Sequence, residues 1–184
     1  MWTSPILLPS LLLATAASAV NIRMFPGSSA CTGGSTLCLN LALGQCCSSS
    51  LAVLYRSIQM ENIPADRTLE LSAFQSGGCR SAGVSVRGPQ CLRGGTGISG
   101  FGSALYRVVV ADGGRETRDV GSASGGNGED CKQPEILELE DGTAFNITGL
   151  LDQQTLELQT SHLGLQTPVT PNFGPSNECF YAAF

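Results

Sequence analysis

Cys46 and Cys47 are adjacent in a chain of 184 residues that carries eight cysteines. In an extended segment neighbouring side chains point to opposite faces. If both are bonded, the doublet reaches two different partners and ties one short strand to structure on both of its sides. The other six are Cys31, Cys38, Cys79, Cys91, Cys131 and Cys179. An even count in an oxidising compartment implies four disulfides, whose pairing the spacing leaves open. Each bridge contributes about 2–4 kcal/mol, chiefly by restricting the unfolded chain. A zinc site would need ligand pairs such as C-x-x-C, and the sequence has none. The one histidine, His162, could add a single ligand. No metal and no cofactor is expected.

The compartment is read from the first nineteen residues, which carry no charged side chain. Residues 5–19 are an apolar run that ends in small residues. Ala17-Ser18-Ala19 fits the small-x-small site of signal peptidase. Pro5, Pro9, Thr15 and Ser18 interrupt the run, which is unsuited to the roughly 20 apolar residues of a membrane span. Residues 1–19 are therefore read as a signal peptide, and the mature chain as secreted, without a membrane anchor. At 14% charged residues and net −5 the chain is neither a polybasic nucleic-acid binder nor a disordered acidic segment.

Strand signals dominate what remains. Residues 67–74 alternate, with Leu69, Leu71 and Ala73 on one face. Residues 51–64 hold a β-rich run stopped by Pro64, and Val84 and Val86 alternate within 82–88. Residues 103–112 are the strongest strand, nearly continuous in β-branched and aromatic side chains. Residues 37–47 are compatible with a short helix or a strand. Residues 20–111 read as a cysteine-rich β domain, 112–133 as a linker or long loop, and 134–184 as an acidic β-meander with a Pro-rich tail packed on that domain. No internal repeat is evident. The fold class is mainly β, a disulfide-stapled antiparallel sandwich or small barrel with a C-terminal meander.

Charge changes sign along the chain. Residues 20–118 carry nine arginines against five acids, and residues 119–184 carry one lysine against ten acids. The acidic segment could dock on the basic part within one molecule. If Glu140-Asp141-Gly142 form a three-residue hairpin loop, Leu139 pairs with Thr143 and Leu137 with Phe145. Leu137, Leu139, Phe145 and Ile147 then share one face, and Glu138, Glu140, Ala144 and Asn146 the other. Leu156 and Leu158 repeat the alternation over 155–160. Asn146-Ile147-Thr148 is the only N-x-[ST] sequon, and the register sends Asn146 outward, where a glycan is expected.

The candidate chemistry is thin. Gly95–Gly100 match G-x-G-x-x-G, but a dinucleotide site needs a strand before and a helix after, and here a strand follows. Residues 125–130, GGNGED, match one copy of a calcium repeat that works only in tandem. His162 is the only imidazole, and its TSHLGL setting carries no recognisable signature, while the acids fit solvated strand faces. No catalytic residue is assigned.

At CLNLALGQCCS, then RSIQMENIP, then SGGC (76–79) and CLRGG (91–95), the chain resembles the small secreted cysteine-rich proteins of filamentous fungi. EDGTAFNIT resembles the acidic hairpin near their C-termini. The resemblance covers roughly residues 31–150. It implies an extracellular, effector-like role at a host or microbial surface and defines no functional residue. The expected function is a non-enzymatic protein that binds an extracellular protein or wall component. A secreted hydrolase and a passive wall component are the alternatives. N-terminal sequencing of the secreted protein should start at Val20, and loss of Trp2, the only tryptophan, should leave no tryptophan fluorescence.

Overall fold

The computed structural model describes residues 19–49, 53–80, 83–109 and 131–150, together with Gln154, Thr155, Glu157, Leu158 and Ser161. Eleven strands follow in order: β1 (Val20–Phe25), β2 (Ser35–Leu41), β3 (Cys46–Ser48), β4 (Ser57–Glu61), β5 (Leu69–Phe74), β6 (Gly83–Arg87), β7 (Leu92–Arg93), β8 (Ser103–Val108), β9 (Cys131–Lys132), β10 (Ile136–Glu138) and β11 (Ala144–Asn146). They form two sheets, of order β11-β10-β2-β1-β4-β7 and β6-β5-β8-β3-β9. All pairings are antiparallel except β3 with β9. The class is mainly β, and the arrangement is a disulfide-stapled sandwich rather than a closed barrel.

Period-two patterning builds the core. Ile22 and Met24 of β1 and Ile58 and Met60 of β4 turn inward from the first sheet, each at most 1% exposed. Leu69, Leu71 and Ala73 of β5 and Ala104 of β8 meet them from the second sheet. Burying such side chains stabilises the fold by roughly 1.5–3 kcal/mol apiece for the larger ones. The Cys38–Cys47 disulfide crosses this core from β2 to β3, and both of its residues are fully buried.

The architecture contains a duplication that the sequence does not display. In the first half β1 pairs with β2 and β4, and in the second β5 pairs with β6 and β8. Each half lends its third strand to the other sheet, β3 pairing with β8 and β7 with β4. Phe25 lies opposite Ser57 as Phe74 lies opposite Ser103. Arg56 N donates to Phe25 O and Gly102 N to Phe74 O, both at 2.8 Å. The equivalent residues Tyr55 and Phe101 bond each other reciprocally at 2.8 Å in both directions, as a pseudo-two-fold relation between the halves requires. Two disulfides obey the same relation: Cys31 of the first half bonds Cys91 of the second, and Cys79 of the second bonds Cys46 of the first.

A serine closes each half. Cys31 and Cys79 both have left-handed backbones, at φ 53° and 55°, a conformation that costs a non-glycine residue about 1–2 kcal/mol. Cys31 N donates to Ser57 Oγ at 3.1 Å, and Cys79 N to Ser103 Oγ at 2.9 Å. Ser57 Oγ then donates to Ser28 O and Ser103 Oγ to Ser76 O, both at 2.6 Å. Both serines are fully buried, and each hydroxyl satisfies a loop amide and a loop carbonyl at once.

Several expectations change. Residues 37–47 are not helical: β2 ends beyond Asn40, whose φ of 52° breaks regular structure, and β3 follows the turn. Val20–Phe25, which the strand signals passed over, lies between β2 and β4 inside the first sheet. Cys131 and Lys132, at the end of the expected linker, form β9. The hairpin has the expected register, with Leu137 opposite Phe145 and Leu139 N bonded to Thr143 O. Gly142 takes φ +85° at the position that demands it. Beyond it, Thr155, Glu157 and Leu158 are helical and not the expected strand. The Ser161 hydroxyl donates to Leu158 O, a helical i−3 bond, and Leu151, Thr155 and Leu158 also recur at helical spacing.

Ser57→Ala and Ser103→Ala should each cost about 1–3 kcal/mol, because each strands a cysteine amide, half-buried at Cys31 and buried at Cys79. Urea denaturation of the oxidised protein checks this, and equivalent clasps should give losses of similar size.

Candidate interaction surface

The cysteine doublet behaves as an extended pair must. Cys47 turns into the core to Cys38, and Cys46 turns to the other side, to Cys79. There Cys46, Cys79 and Leu105 form a second small cluster, against which Phe74 and Cys131 pack. Cys131 is also disulfide-bonded. Cys179, the cysteine left over by the other pairs, lies outside the described residues, as do His162 and the GGNGED segment. Among the described residues no group of three or more His, Cys, Asp or Glu side chains could hold a metal ion.

Gly95–Gly100 form a loop between β7 and β8. Ile98 N closes a turn on Gly95 O at 3.0 Å, and Gly97 takes φ +89°. A Cβ at Gly100 would lie 2.7 Å from the Leu54 Cβ. These glycines serve turn geometry and close packing, and no helix follows them to receive a phosphate.

The acidic segment docks on the basic part through β10. Glu138 lies opposite Ser35 on β2, and its carboxylate meets Arg23 Nη1 at 2.8 Å. Glu61 of β4 meets Arg23 Nε at 2.5 Å, and Arg23 Nη1 also donates to Ser35 Oγ. Burial opposes the guanidinium's charge. Hydrogen bonds and attraction from Glu61 and Glu138 outweigh it and hold the Arg23 pKa above its ordinary value. One arginine thus couples β1, β2, β4 and β10, and both carboxylates are spent on it. Lys132 adds a second latch, donating to Leu39 O at 2.5 Å and pairing with Glu135 at 3.0 Å. These groups hold the appended strands in place.

Asn146 is exposed on β11, the edge of the first sheet. Its Oδ1 accepts from Thr148 N at 2.9 Å, while Leu137 and Ile147 of the same hairpin are buried.

The exposed apolar side chains had no sequence signal beyond hydropathy. Leu43 is 54% exposed and Val108 38%. Leu43 sits in the turn between β2 and β3, which is held from every side. Gln45 N bonds Ala42 O and Ala42 N bonds Gln45 Oε1, both at 3.0 Å. Gly44 N reaches across to Tyr106 O at 3.1 Å, and the Tyr106 hydroxyl donates to Leu41 O at 2.9 Å. Burial raises the Tyr106 pKa, with Arg67 pulling weakly the other way, so the phenol keeps its donated proton throughout the physiological range. The disulfides of Cys46 and Cys47 begin directly after the turn. Val108 follows Tyr106 by two positions on β8, so both side chains stand at one end of the sandwich. The result is a rigid apolar projection beside a second exposed apolar residue, with Arg67 nearby.

No curated protein and no solved structure matches the chain. One family profile does: ARB_05566_N, described as an N-terminal domain, matches residues 21–135. The match takes in both halves of the duplicated sandwich and ends one residue before β10. Because it also spans more than half of the chain, the protein belongs to the ARB_05566_N family.

Proposed function

We propose that this is a secreted, N-glycosylated, non-enzymatic protein that binds an extracellular partner, at a host or microbial surface, through the end of the sandwich that carries Leu43. The turn around Leu43 is the observation that carries this reading. A large apolar side chain held outward by a clamped turn loses little conformational freedom on binding. Removing its apolar surface from water favours association.

Export is supported from two directions. Every cysteine among the described residues is bonded, which suits an oxidising compartment. β1 starts at Val20, the residue that follows the small-x-small site, and Val20 is 1% exposed. The ordered strand and the expected mature chain thus begin together. The likeness to small secreted cysteine-rich fungal proteins fits the same reading.

The oxidised mature protein, immobilised and exposed to host or wall extract, should retain a specific partner, and Leu43→Asp should weaken its capture at least tenfold with the melting curve unchanged. Equal capture by the variant would remove Leu43 from the interface. Asn146 should carry a glycan: glycosidase treatment of the secreted protein should lower its mass and convert Asn146 to Asp, and an unchanged mass would defeat that assignment.

A further inference from the structure

The duplication allows the two halves to be compared edge by edge. β2 and β6 are equivalent, each the hairpin partner of its half's first strand. The free edge of β2 is filled by β10, in the register Ile136↔Leu37, Leu137↔Thr36 and Glu138↔Ser35. The corresponding edge of β6 ends its sheet. Gly88 N bonds back to Leu69 O. By alternation Val84 and Val86 direct their amides and carbonyls toward β5, and Gly83, Ser85 and Arg87 direct theirs outward. Ser85 is the counterpart of Leu37, whose carbonyl accepts Glu135 N at 2.8 Å from the β10 segment. The outward groups of β6 have no such acceptor or donor among the described residues.

The other sheet edges are poor templates. β7 and β9 are two residues long and β11 is three, the last bearing the sequon. β6 is five residues long and pairs with β5 without a bulge. It contains no proline and no inward charge, the devices that ordinarily blunt an edge.

We infer that the outer edge of β6 is a self-association surface, on which a second copy of the chain lays its own β6 antiparallel about Ser85. The sequence Gly83-Val84-Ser85-Val86-Arg87 is complementary to itself in that register. Ser85 exchanges both backbone bonds with its counterpart, Val84 lies opposite Val86, and Arg87 lies opposite Gly83. No like charges face each other, since Arg87 meets a glycine and its own copy's Glu70 stands 3.6 Å from its Nε. Apolar cross-strand pairs stabilise such a ladder. The two five-stranded sheets become one continuous sheet, with the closed symmetry usual for homodimers. A single strand pair is small beside the roughly 1,200–2,000 Å² of stable interfaces, so the dimer is weak and forms at high concentration.

Sedimentation velocity of the oxidised secreted protein, up to about 1 mM, tests this. The wild type should shift from monomer toward dimer with concentration. Ser85→Lys sets two like charges at the centre of the ladder and should weaken association at least tenfold. Ser85→Pro removes an outward amide together with the hydroxyl and should do the same. Ser85→Ala loses the hydroxyl contact with Ser72, 2.8 Å away, yet keeps the backbone edge, so it should dimerise like the wild type. A wild type that stays monomeric throughout overturns the inference, and leaves the edge to a foreign strand or to none. A dimer that survives Ser85→Lys overturns it as well, and places association on another surface. Should Ser85→Pro fail to fold, Ser85→Lys against Ser85→Ala decides alone.

Discussion

The hydroxyl of a buried serine, bonded to a cysteine amide and to a loop carbonyl, is the contact on which the rest of this fold depends. It occurs twice, at Ser57 with Cys31 and at Ser103 with Cys79. Each serine opens a strand of one sheet and fixes the loop that follows that sheet's inner strand. Each clasped cysteine then reaches to the other half, to Cys91 or Cys46. The clasp therefore sets a left-handed backbone, the backbone aims the sulfur, and the sulfur locks the two halves together. Replacing either hydroxyl leaves the disulfide in place but withdraws the local reason for its geometry.

The halves are equivalent only up to β8. The chain then adds β9 to the free edge of β3 and β10 to the free edge of β2, so both additions fall on strands of the first half. Arg23 makes the second addition specific, since its guanidinium needs Glu138 as well as Glu61 to offset its burial. The equivalent position in the other half is Ser72, opposite Ser85 as Arg23 is opposite Leu37. A serine there makes no comparable demand on a neighbouring strand. The chemistry that recruits β10 to one edge is thus missing from the other, and among the described residues β6 has no strand on its outer side.

Local rules made much of this legible. Alternation located β5, a nearly continuous β-branched and aromatic run located β8, and the three-residue loop at Glu140-Asp141-Gly142 gave the hairpin its register, because parity leaves one choice once Leu137 and Ile147 must be buried. The cysteine doublet announced two partners for the same reason. β1 was less visible, since Asn21 and Arg23 interrupt a run whose outward face is polar. The duplication was hidden further. Equivalent core positions hold different residues, Met24 against Ala73 and Thr36 against Val84, and the spacing between equivalents is not constant. Phe25/Phe74, Ser28/Ser76, Cys31/Cys79, Cys46/Cys91 and Ser57/Ser103 keep their identities. These are the positions where geometry, not volume, is being specified. The exposed Leu43 had no signature at all, because exposure is a property of the turn's clamps and not of the residue.

The exchange of strands also fixes how the chain can fold. Neither half can complete its sheet alone: the first needs β7 and the second needs β3. Cys31 must wait for Cys91, 60 residues later, and Cys46 for Cys79, 33 residues later. Closing loops of that length costs chain entropy before any contact repays it, and topologies of this kind fold slowly. Tyr55 and Phe101 sit where the halves meet and bond each other's backbones in both directions, so their pairing marks the moment at which both halves have arrived. The nine-residue Cys38–Cys47 bridge has no such requirement. It joins β2 to β3 within the first half and can form early, presenting β3 before its partner β8 exists. Neither sheet is complete until both halves have contributed their strands.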